Sequence, residues 1–423
     1  MTFRFLHAAD LHLDSPFVGI GAVAPAVAAE LRDASLAVLD DLVELAVARQ
    51  VAFVVLAGDV YDGADRGVRA QLALHRATAT LAGHGIRTFI AHGNHDPVEE
   101  GWSAVRSWPE LVTVFPTDRV ASVVVERDGA PLATVHGISY ARRDTTENLA
   151  RRFHRTDDPG VHIGVLHANV GGHGEHQPYS PCTVDDLVWT GLDYWALGHV
   201  HRHLVLHRDP WIVYPGTTQG RSPAAREHGP KGAVVVEVDD AGRVADVELV
   251  ALDRVRVGEV VVDLADADDL PELRDRLLAE GRRALLDADG RSVLVRATVT
   301  GRGLLHHDLV RTGVVDELLA ALRDDSAGPP PFVWWHALQA RTGTDMHIDE
   351  LRGRSDFLAD LVDEHEALLA SGPGPRVAGW TDDLPNGVVR ALGAELPDPA
   401  APARWAAALE LAVDLVAGDP EEA

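Results

Sequence analysis

Ala52-Phe53-Val54-Val55-Leu56-Ala57-Gly58-Asp59-Val60-Tyr61-Asp62 is an apolar run that stops at a glycine and two carboxylates. A short unbroken apolar run closed by a turn signal reads as a strand buried on both faces. Such strands belong to parallel sheets that helices cover on the outside. The neighbouring sequence fits. Upstream, residues 24–49 repeat apolar positions at helical spacing (Leu31, Leu36, Leu39, Leu42, Val43, Ala46), and residues 3–9 form an apolar first strand that runs into Asp10. Downstream, residues 68–83 read as a helix and Thr88-Phe89-Ile90-Ala91 as a strand ending in His92-Gly93-Asn94-His95. This β–α–β–α–β order predicts an α/β fold with a largely parallel inner sheet and right-handed crossovers. Further strands are predicted at 120–126, 132–136, 161–166, 194–197, 211–214 and 233–238. Little helix lies between the last of them, which predicts an antiparallel portion.

Near residue 254 the pattern resets. A strand at 257–264, a helix at 269–285 and a strand at 292–299 predict a smaller α+β unit over 254–331, after a main domain over 1–253. Asp324-Asp325-Ser326-Ala327-Gly328-Pro329-Pro330-Pro331 reads as a linker or rigid turn. Residues 332–423 read as a helix-rich region, broken again at Ser371-Gly372-Pro373-Gly374-Pro375. No internal repeat is evident.

The chain has 423 residues, 46% of them hydrophobic, enough for a sizeable core and more than one domain. No run of eighteen uninterrupted apolar residues argues for a membrane span, and residues 1–6 lack the apolar stretch and cleavage site of a signal peptide. Cys182 is the single cysteine, which excludes an internal disulfide framework and fits a cytoplasmic location. The net charge is -27; residues 1–220 hold 17 basic and 26 acidic residues (net -9), residues 221–423 hold 21 and 39 (net -18). Such a chain repels polyanions at long range. A nucleic-acid function must then rest on local arginines, bound metal or a partner.

Five segments carry the chemistry: Asp10-Leu11-His12, Gly58-Asp59-Val60-Tyr61-Asp62, Gly93-Asn94-His95-Asp96, Leu166-His167-Ala168-Asn169 and Gly198-His199-Val200-His201. Each follows a predicted strand, and in α/β sheets ligands gather beyond the carboxyl ends of strands. Asp, His and Asn without thiolate suit Mn²⁺, Fe²⁺ or Zn²⁺ better than Ca²⁺ or a structural zinc site. Two such ions can clamp the attacking and leaving oxygens of phosphoryl transfer, with one carboxylate between them. Asp59, in the middle of the set, is the natural bridge.

In order and spacing the set resembles the calcineurin-like metallophosphoesterase superfamily over residues 3–240: D-x-H, G-D-x-x-D, G-N-H-D, H and G-H-x-H. The resemblance implies a sandwich of mixed β-sheets flanked by helices. It also implies a first metal on Asp10, His12, Asp59 and His201, and a second on Asp59, Asn94, His167 and His199. His95 would then be the general acid or transition-state stabiliser, Asp96 would orient it through a hydrogen bond, and the nucleophile would be water activated by the metals.

Flanking sequence narrows the resemblance. His7-Ala8-Ala9-Asp10-Leu11-His12-Leu13-Asp14-Ser15-Pro16-Phe17 and Tyr194-Trp195-Ala196-Leu197-Gly198-His199-Val200-His201 are similar to bacterial DNA repair exonucleases of the SbcD and YhaO type. Tyr214-Pro215-Gly216-Thr217-Thr218-Gln219-Gly220-Arg221, followed by Gly229-Pro230-Lys231-Gly232, is similar to the YhaO branch. That resemblance implies Mn²⁺-dependent cleavage of DNA phosphodiesters, a capping role for the α+β unit and a coiled-coil ABC-type ATPase partner of the SbcC/YhaN kind. Homodimerisation is a further expectation of the family, and residues 332–423 are a candidate docking element. Two alternatives stand beside it: a small-molecule phosphodiesterase or nucleotidase on the same metal site, and a non-catalytic assembly subunit.

The remaining candidates read more plainly. Asp62 reads as support or loop capping rather than as a ligand, and His7 as a core or supporting residue. His173 and His176 read as solvated loop residues, with substrate contact as the second reading. His203 could touch phosphate. Cys182 reads as packed and inert. Trp334-Trp335-His336 reads as packing, with base stacking as the second reading.

Overall fold

The computed structural model describes residues 2–15, 17, 25–63, 67–100, 102–172, 179–346, 348–352, 354, 356–370 and 402–416. By its internal contacts the chain divides into two compact units. One comprises Met1–Gly258, Ala284–Val295 and Ala327–His336, the other Glu259–Arg283, Arg296–Ser326 and Ala337–Ala423.

The first unit is built on two mixed sheets. In chain order the strands are β1 (Phe3–Ala8), β2 (Phe53–Ala57), β3 (Arg87–Ala91), β4 (Val112–Val114), β5 (Ala121–Arg127), β6 (Ala130–Gly137), β7 (Val161–His167), β8 (Tyr194–Gly198), β9 (Leu204–Arg208), β10 (Trp211–Tyr214), β11 (Gly232–Val238) and β12 (Val244–Ala251). One sheet runs β12-β11-β1-β2-β3-β4, the other β5-β6-β7-β8-β10-β9. Strands β1 to β4 are parallel neighbours, as the β–α–β–α–β reading requires, and β11 and β12 close that sheet antiparallel. In the second sheet β6, β7, β8 and β10 are parallel, with β5 and β9 antiparallel at the edges.

Side-chain alternation explains why the central strands are apolar throughout. Phe5, Phe53, Val55 and Phe89 point inward and join Val135, Ile163, Val165, Tyr194 and Val213 in the core between the sheets. Leu6, Val54, Leu56 and Ile90 point outward and meet Leu39, Leu42, Leu74 and Leu81. These four belong to the helices α1 (Pro25–Ala48) and α2 (Val68–Gly83). With both faces covered, the alternation shows as a continuous apolar run. The outer face of the second sheet carries its own cluster, in which Trp195, Leu197 and Tyr214 pack with Leu149, Phe153 and Leu187.

A third sheet has the order β13 (Val255–Asp263), β14 (Ser292–Arg302), β15 (Val333–Gly343). Strand β15 corrects the reading of 332–423 as helix-rich from its start. Its Val-Trp-Trp-His run is a strand, with Trp335 fully buried and Trp334 packed on the cluster of Phe17, Leu31 and Val255. Burial gives Trp335 to packing rather than to base stacking. Helices follow at Phe357–Ala370 and Pro402–Val416. Within the second unit, Val362, Leu409 and Val413 form a small apolar cluster with Leu351, and Asp414 accepts from Arg302 Nη2 at 2.6 Å and Thr344 Oγ1 at 2.7 Å. Among the described residues no helix is long and apolar enough to cross a membrane.

Candidate metal centre

All five predicted segments come together in the first unit. Each leaves the carboxyl end of a strand: Asp10 and His12 after β1, Asp59 after β2, Asn94 and His95 after β3, His199 and His201 after β8, while His167 is the last residue of β7. The loops are tied to one another by their backbones. Asp10 N donates to Gly58 O at 3.0 Å, His12 N to Asp59 O at 3.0 Å, and Ala168 N to Gly198 O at 3.3 Å.

The chain accepts strained conformations to hold these side chains. Asp10, His12, Asp59 and His199 have φ of 51°, 42°, 50° and 105°. Left-handed backbone at a non-glycine residue costs of order 1–3 kcal/mol and persists only where the surroundings impose it. At the motif glycines close packing around His167 is the cause, joined at Gly58 by a φ of 92°. A Cβ on Gly58 would fall 2.3 Å from His167 Nδ1, one on Gly93 2.4 Å from Asp59 Oδ1, and one on Gly198 1.9 Å from Ala57 O.

Two donor clusters share Asp10, with Asp59 between their histidines. Asp10, His12 and His201 can each place one ligand atom within 4.8 Å of the others, and so can Asp10, Asp59 and His167. Asp59 Oδ2 lies 3.3 Å from His167 Nε2 and 3.9 Å from His12 Nε2, so it faces both. Asn94 Oδ1 is 3.0 Å from His167 Nε2. His167 Nδ1 donates to Ala57 O at 3.1 Å, which fixes the ring and turns Nε2 to the cluster. The backbone N of His199 donates to both oxygens of Asp10, at 3.1 and 3.0 Å.

The electrostatics fit a cation. His12 Nε2 is buried and makes no hydrogen bond; a polar group left so costs about 1–3 kcal/mol, which a cation at that nitrogen would relieve. His12 Nδ1 lies 3.3 Å from Asp62 Oδ1, within ion-pair reach but not aligned as a hydrogen bond. Burial pushes the His12 imidazole down to about 4, which keeps it neutral and able to bind metal. Burial raises Asp10 to about 6. Burial alone would lower His167 too, but the Asp59 carboxylate beside it lifts it to about 9.

His95 stands at the rim, its side chain 30% exposed, and its backbone N donates to Asp59 Oδ1 at 2.9 Å. The structure corrects the role read for Asp96. The carboxylate at the His95 ring is Asp62, with Nδ1 to Oδ1 at 3.1 Å. Asp96 is fully buried and holds the loop itself, accepting from Gly93 N at 2.8 Å, Val60 N at 3.0 Å and His92 Nδ1 at 2.9 Å. A carboxylate two residues past Asn94 serves the backbone turn, while one three residues past Asp59 reaches across to the ring. Asp62 is held in turn by Arg221 Nη1 at 2.8 Å and Ser15 Oγ at 2.8 Å. Burial would raise the Asp62 carboxyl, but the His12 and His95 rings beside it and the Arg221 charge hold it well below the usual range. Burial would likewise lower His95, and the Asp62 contact raises it.

Sequence reasoning passed over several supports. Arg221 is one. Thr217 Oγ1 donates to Asp10 O at 2.6 Å, Tyr140 Oη to His167 O at 2.6 Å and Tyr214 Oη to Ala168 O at 2.6 Å. Glu227 Oε1 lies 3.2 Å from His201 Nδ1. Thr217 and Arg221 stand in the stretch that is similar to the YhaO branch, whereas Glu227 carries no local signal. The other candidates fall outside the cluster. His7 is buried, donating from Nε2 to Leu197 O at 3.1 Å and accepting from Tyr194 Oη at 3.0 Å. His203 Nδ1 donates to Tyr214 O at 3.0 Å. Cys182 is buried, and that burial pushes its thiol up to about 12. His173 and His176 lie outside the described residues.

Comparison with known proteins agrees with this geometry. The calcineurin-like phosphoesterase profile matches residues 3–203, and that of the middle domain of metallophosphoesterase YhaO matches residues 258–343. The uncharacterized metallophosphoesterase YhaO of Bacillus subtilis (strain 168) is 35% identical over 348 residues, 82% of this chain and 84% of its own length. One of the subunits of the nuclease SbcCD of Escherichia coli (strain K12) is 29% identical over 253 residues, 51% of this chain and 60% of its own. DNA double-strand break repair protein Mre11 of Thermoplasma acidophilum is 26% identical over 189 residues, 43% of this chain and 49% of its own. A relative matched over most of both chains, and buried Asp, His and Asn donors converging on one carboxylate, place this chain in the calcineurin-like phosphoesterase family of metal-dependent hydrolases.

Proposed function

We propose that the chain is the nuclease subunit of a DNA-processing assembly, a Mn²⁺-dependent phosphodiesterase that works in the cytoplasm with a coiled-coil ABC-type ATPase. The observation that carries the hydrolytic part is the pair of donor clusters that share Asp10, with Asp59 facing His12 and His167, beside a partly exposed His95. The DNA part rests on the names of the relatives, a nuclease subunit and a DNA double-strand break repair protein.

Asp10, His12, Asp59 and His201 would hold one ion, and Asp59, Asn94, His167 and His199 the other. Bound there, the ions would polarise the phosphoryl oxygens and lower the pKa of the attacking water. The protein supplies the rest. Asp62, 3.1 Å from His95 Nδ1, favours the proton on that nitrogen and leaves Nε2 to serve the leaving oxygen. The Arg221 and Ser15 contacts keep the Asp62 carboxylate from swinging away. Asp96 acts one step further back, by shaping the loop that carries Asn94 and His95.

The test is degradation of end-labelled single- and double-stranded DNA with Mn²⁺, with His95→Ala alongside. Mn²⁺-dependent degradation that the variant loses is the expected result. The net charge of -27 favours a second reading, a small phosphodiester as substrate. Intact DNA together with cleavage of a bis-aryl phosphodiester, both with and without an ATPase partner, would decide for it.

A further inference from the structure

Two of the donor histidines are backed differently. His167 Nδ1 donates to a neutral acceptor, Ala57 O, at 3.1 Å. His201 Nδ1 donates to a carboxylate, Glu227 Oε1, at 3.2 Å. Glu227 is only 2% exposed, and its other oxygen, Oε2, is buried without a hydrogen-bond partner. An ionised carboxylate is not left so placed unless nearby positive charge offsets its burial. Part of that charge is Lys231, the only lysine of the chain, which is 4% exposed. Its Nζ donates to His201 O at 2.8 Å and Arg226 O at 3.3 Å. Lysine and glutamate thus grip His201 at both ends, the lysine by the backbone carbonyl and the glutamate by the ring.

A carboxylate on the far nitrogen of an imidazole fixes tautomer and ring orientation and makes the near nitrogen a stronger donor. A carbonyl fixes the ring but adds less donor strength. The contrast extends to the other histidine of the same cluster, since His12 Nδ1 has the Asp62 carboxylate 3.3 Å away. The cluster of Asp10, His12 and His201 therefore has one hydrogen-bonded carboxylate behind His201 and a second within ion-pair reach of His12, while the His167 side is backed by a peptide oxygen. Asp59 faces both sides and does not distinguish them.

We propose that Glu227 is the positioning residue of His201, and that through it the cation site on Asp10, His12 and His201 fills first and more tightly than the site on Asn94 and His167. The proposal rests on the metal-centre reading.

The test is calorimetric titration of the metal-free full-length chain with Mn²⁺ alone, which reads binding and not turnover. The wild type should take up ions in two separable steps. Glu227→Gln, nearly identical in shape, should weaken the tighter step about 10- to 100-fold and leave the weaker one within about a factor of two. His201→Gln, which alters a donor of that cluster and not of the one around His167, should remove the same step. Circular dichroism checks that the variants fold. Should Glu227→Gln not fold, Glu227→Asp keeps the charge but draws it back from Nδ1, and should loosen the same step. Two equal steps in the wild type, or a variant that shifts both steps together, only the weaker one or neither, overturns the proposal while the metal centre stands. A wild-type chain that binds no Mn²⁺ overturns the metal-centre reading itself, and this proposal with it.

Discussion

Gly198 shows how tightly single residues are specified around the metal centre. A methyl group there would meet Ala57 O at 1.9 Å and His167 Nδ1 at 2.8 Å, and neither the strand carbonyl nor the buried ring can move far. Gly198→Ala should therefore cost about 1–3 kcal/mol by overpacking and should also weaken Mn²⁺ retention, because His167 is the group displaced. Gly83→Ala, at the end of α2 with nothing within 4 Å, should be neutral or slightly stabilising. Thermal melting and a metal assay on both variants check the pair; equal effects would show that crowding at His167 is not the cause. At this scale the convergence of Asp10, His12, Asp59, His167 and His201 was legible, because each sits in a short pattern just past or at the end of a strand. The partner of His95 was not. Asp96 and Asp62 are both near the right motifs in sequence, and only the path of the loop after β2 decides that Asp62 reaches the ring. Asp62→Asn should lower kcat about 100-fold with KM little changed, and more for a dinucleotide with a poor alkoxide leaving group than for bis(p-nitrophenyl) phosphate. Equal losses on the two substrates would remove His95 and Asp62 from protonation of the leaving oxygen.

Among the elements, the central strands and the two long helices could be read because burial on one or both faces leaves a periodic mark. Three of the four edges of the two main sheets could not. β4 has three residues, β9 is only partly buried, and β12 (Val-Ala-Asp-Val-Glu-Leu-Val-Ala) mixes acidic side chains into a half-exposed strand, so apolar pattern alone misses them. Inner strands can hide polar groups as well. His136 on β6 and His162 on β7 lie in one run of hydrogen bonds: Ser122 Oγ donates to His136 Nδ1 at 2.8 Å, His136 Nε2 to His162 Nδ1 at 2.9 Å, and His162 Nε2 to Asp158 O at 2.9 Å. The run requires both rings to be neutral. Burial, and then the neighbouring His162, push His136 down from 6.5 to about 4. In that window the unfolded chain takes up a proton that the folded chain refuses, so stability falls as pH drops from 6.5 towards 4 and the loss levels off below. Urea midpoints measured across this range should decline in the wild type. In His136→Asn they should decline less steeply, with a residual slope from His12 and His7, which burial pushes down to about 4 and about 3. An unchanged slope would mean that the His136 ring does not control it.

For the whole molecule, charge sets a condition that no single residue reveals. The net charge is -27, yet the relatives include a nuclease subunit and a DNA repair protein. A basic DNA binder loses affinity steeply as salt rises, because counterions that it displaced compete for the phosphates. An acidic chain meets the opposite long-range term: salt screens its repulsion from the duplex. Raising monovalent salt from about 10 mM to about 150 mM shortens the screening length from about 30 Å to about 8 Å. DNA cleavage by the isolated chain should then hold or rise over that interval. Hydrolysis of a small aryl phosphodiester, whose single charge feels little of this field, should stay flat. If cleavage of DNA falls steeply instead, local arginine contacts outweigh the net charge and the chain binds DNA by itself. If it holds or rises, the cationic surface that grips DNA belongs to a partner. Adding a DNA-binding ATPase should then restore the steep decline with salt.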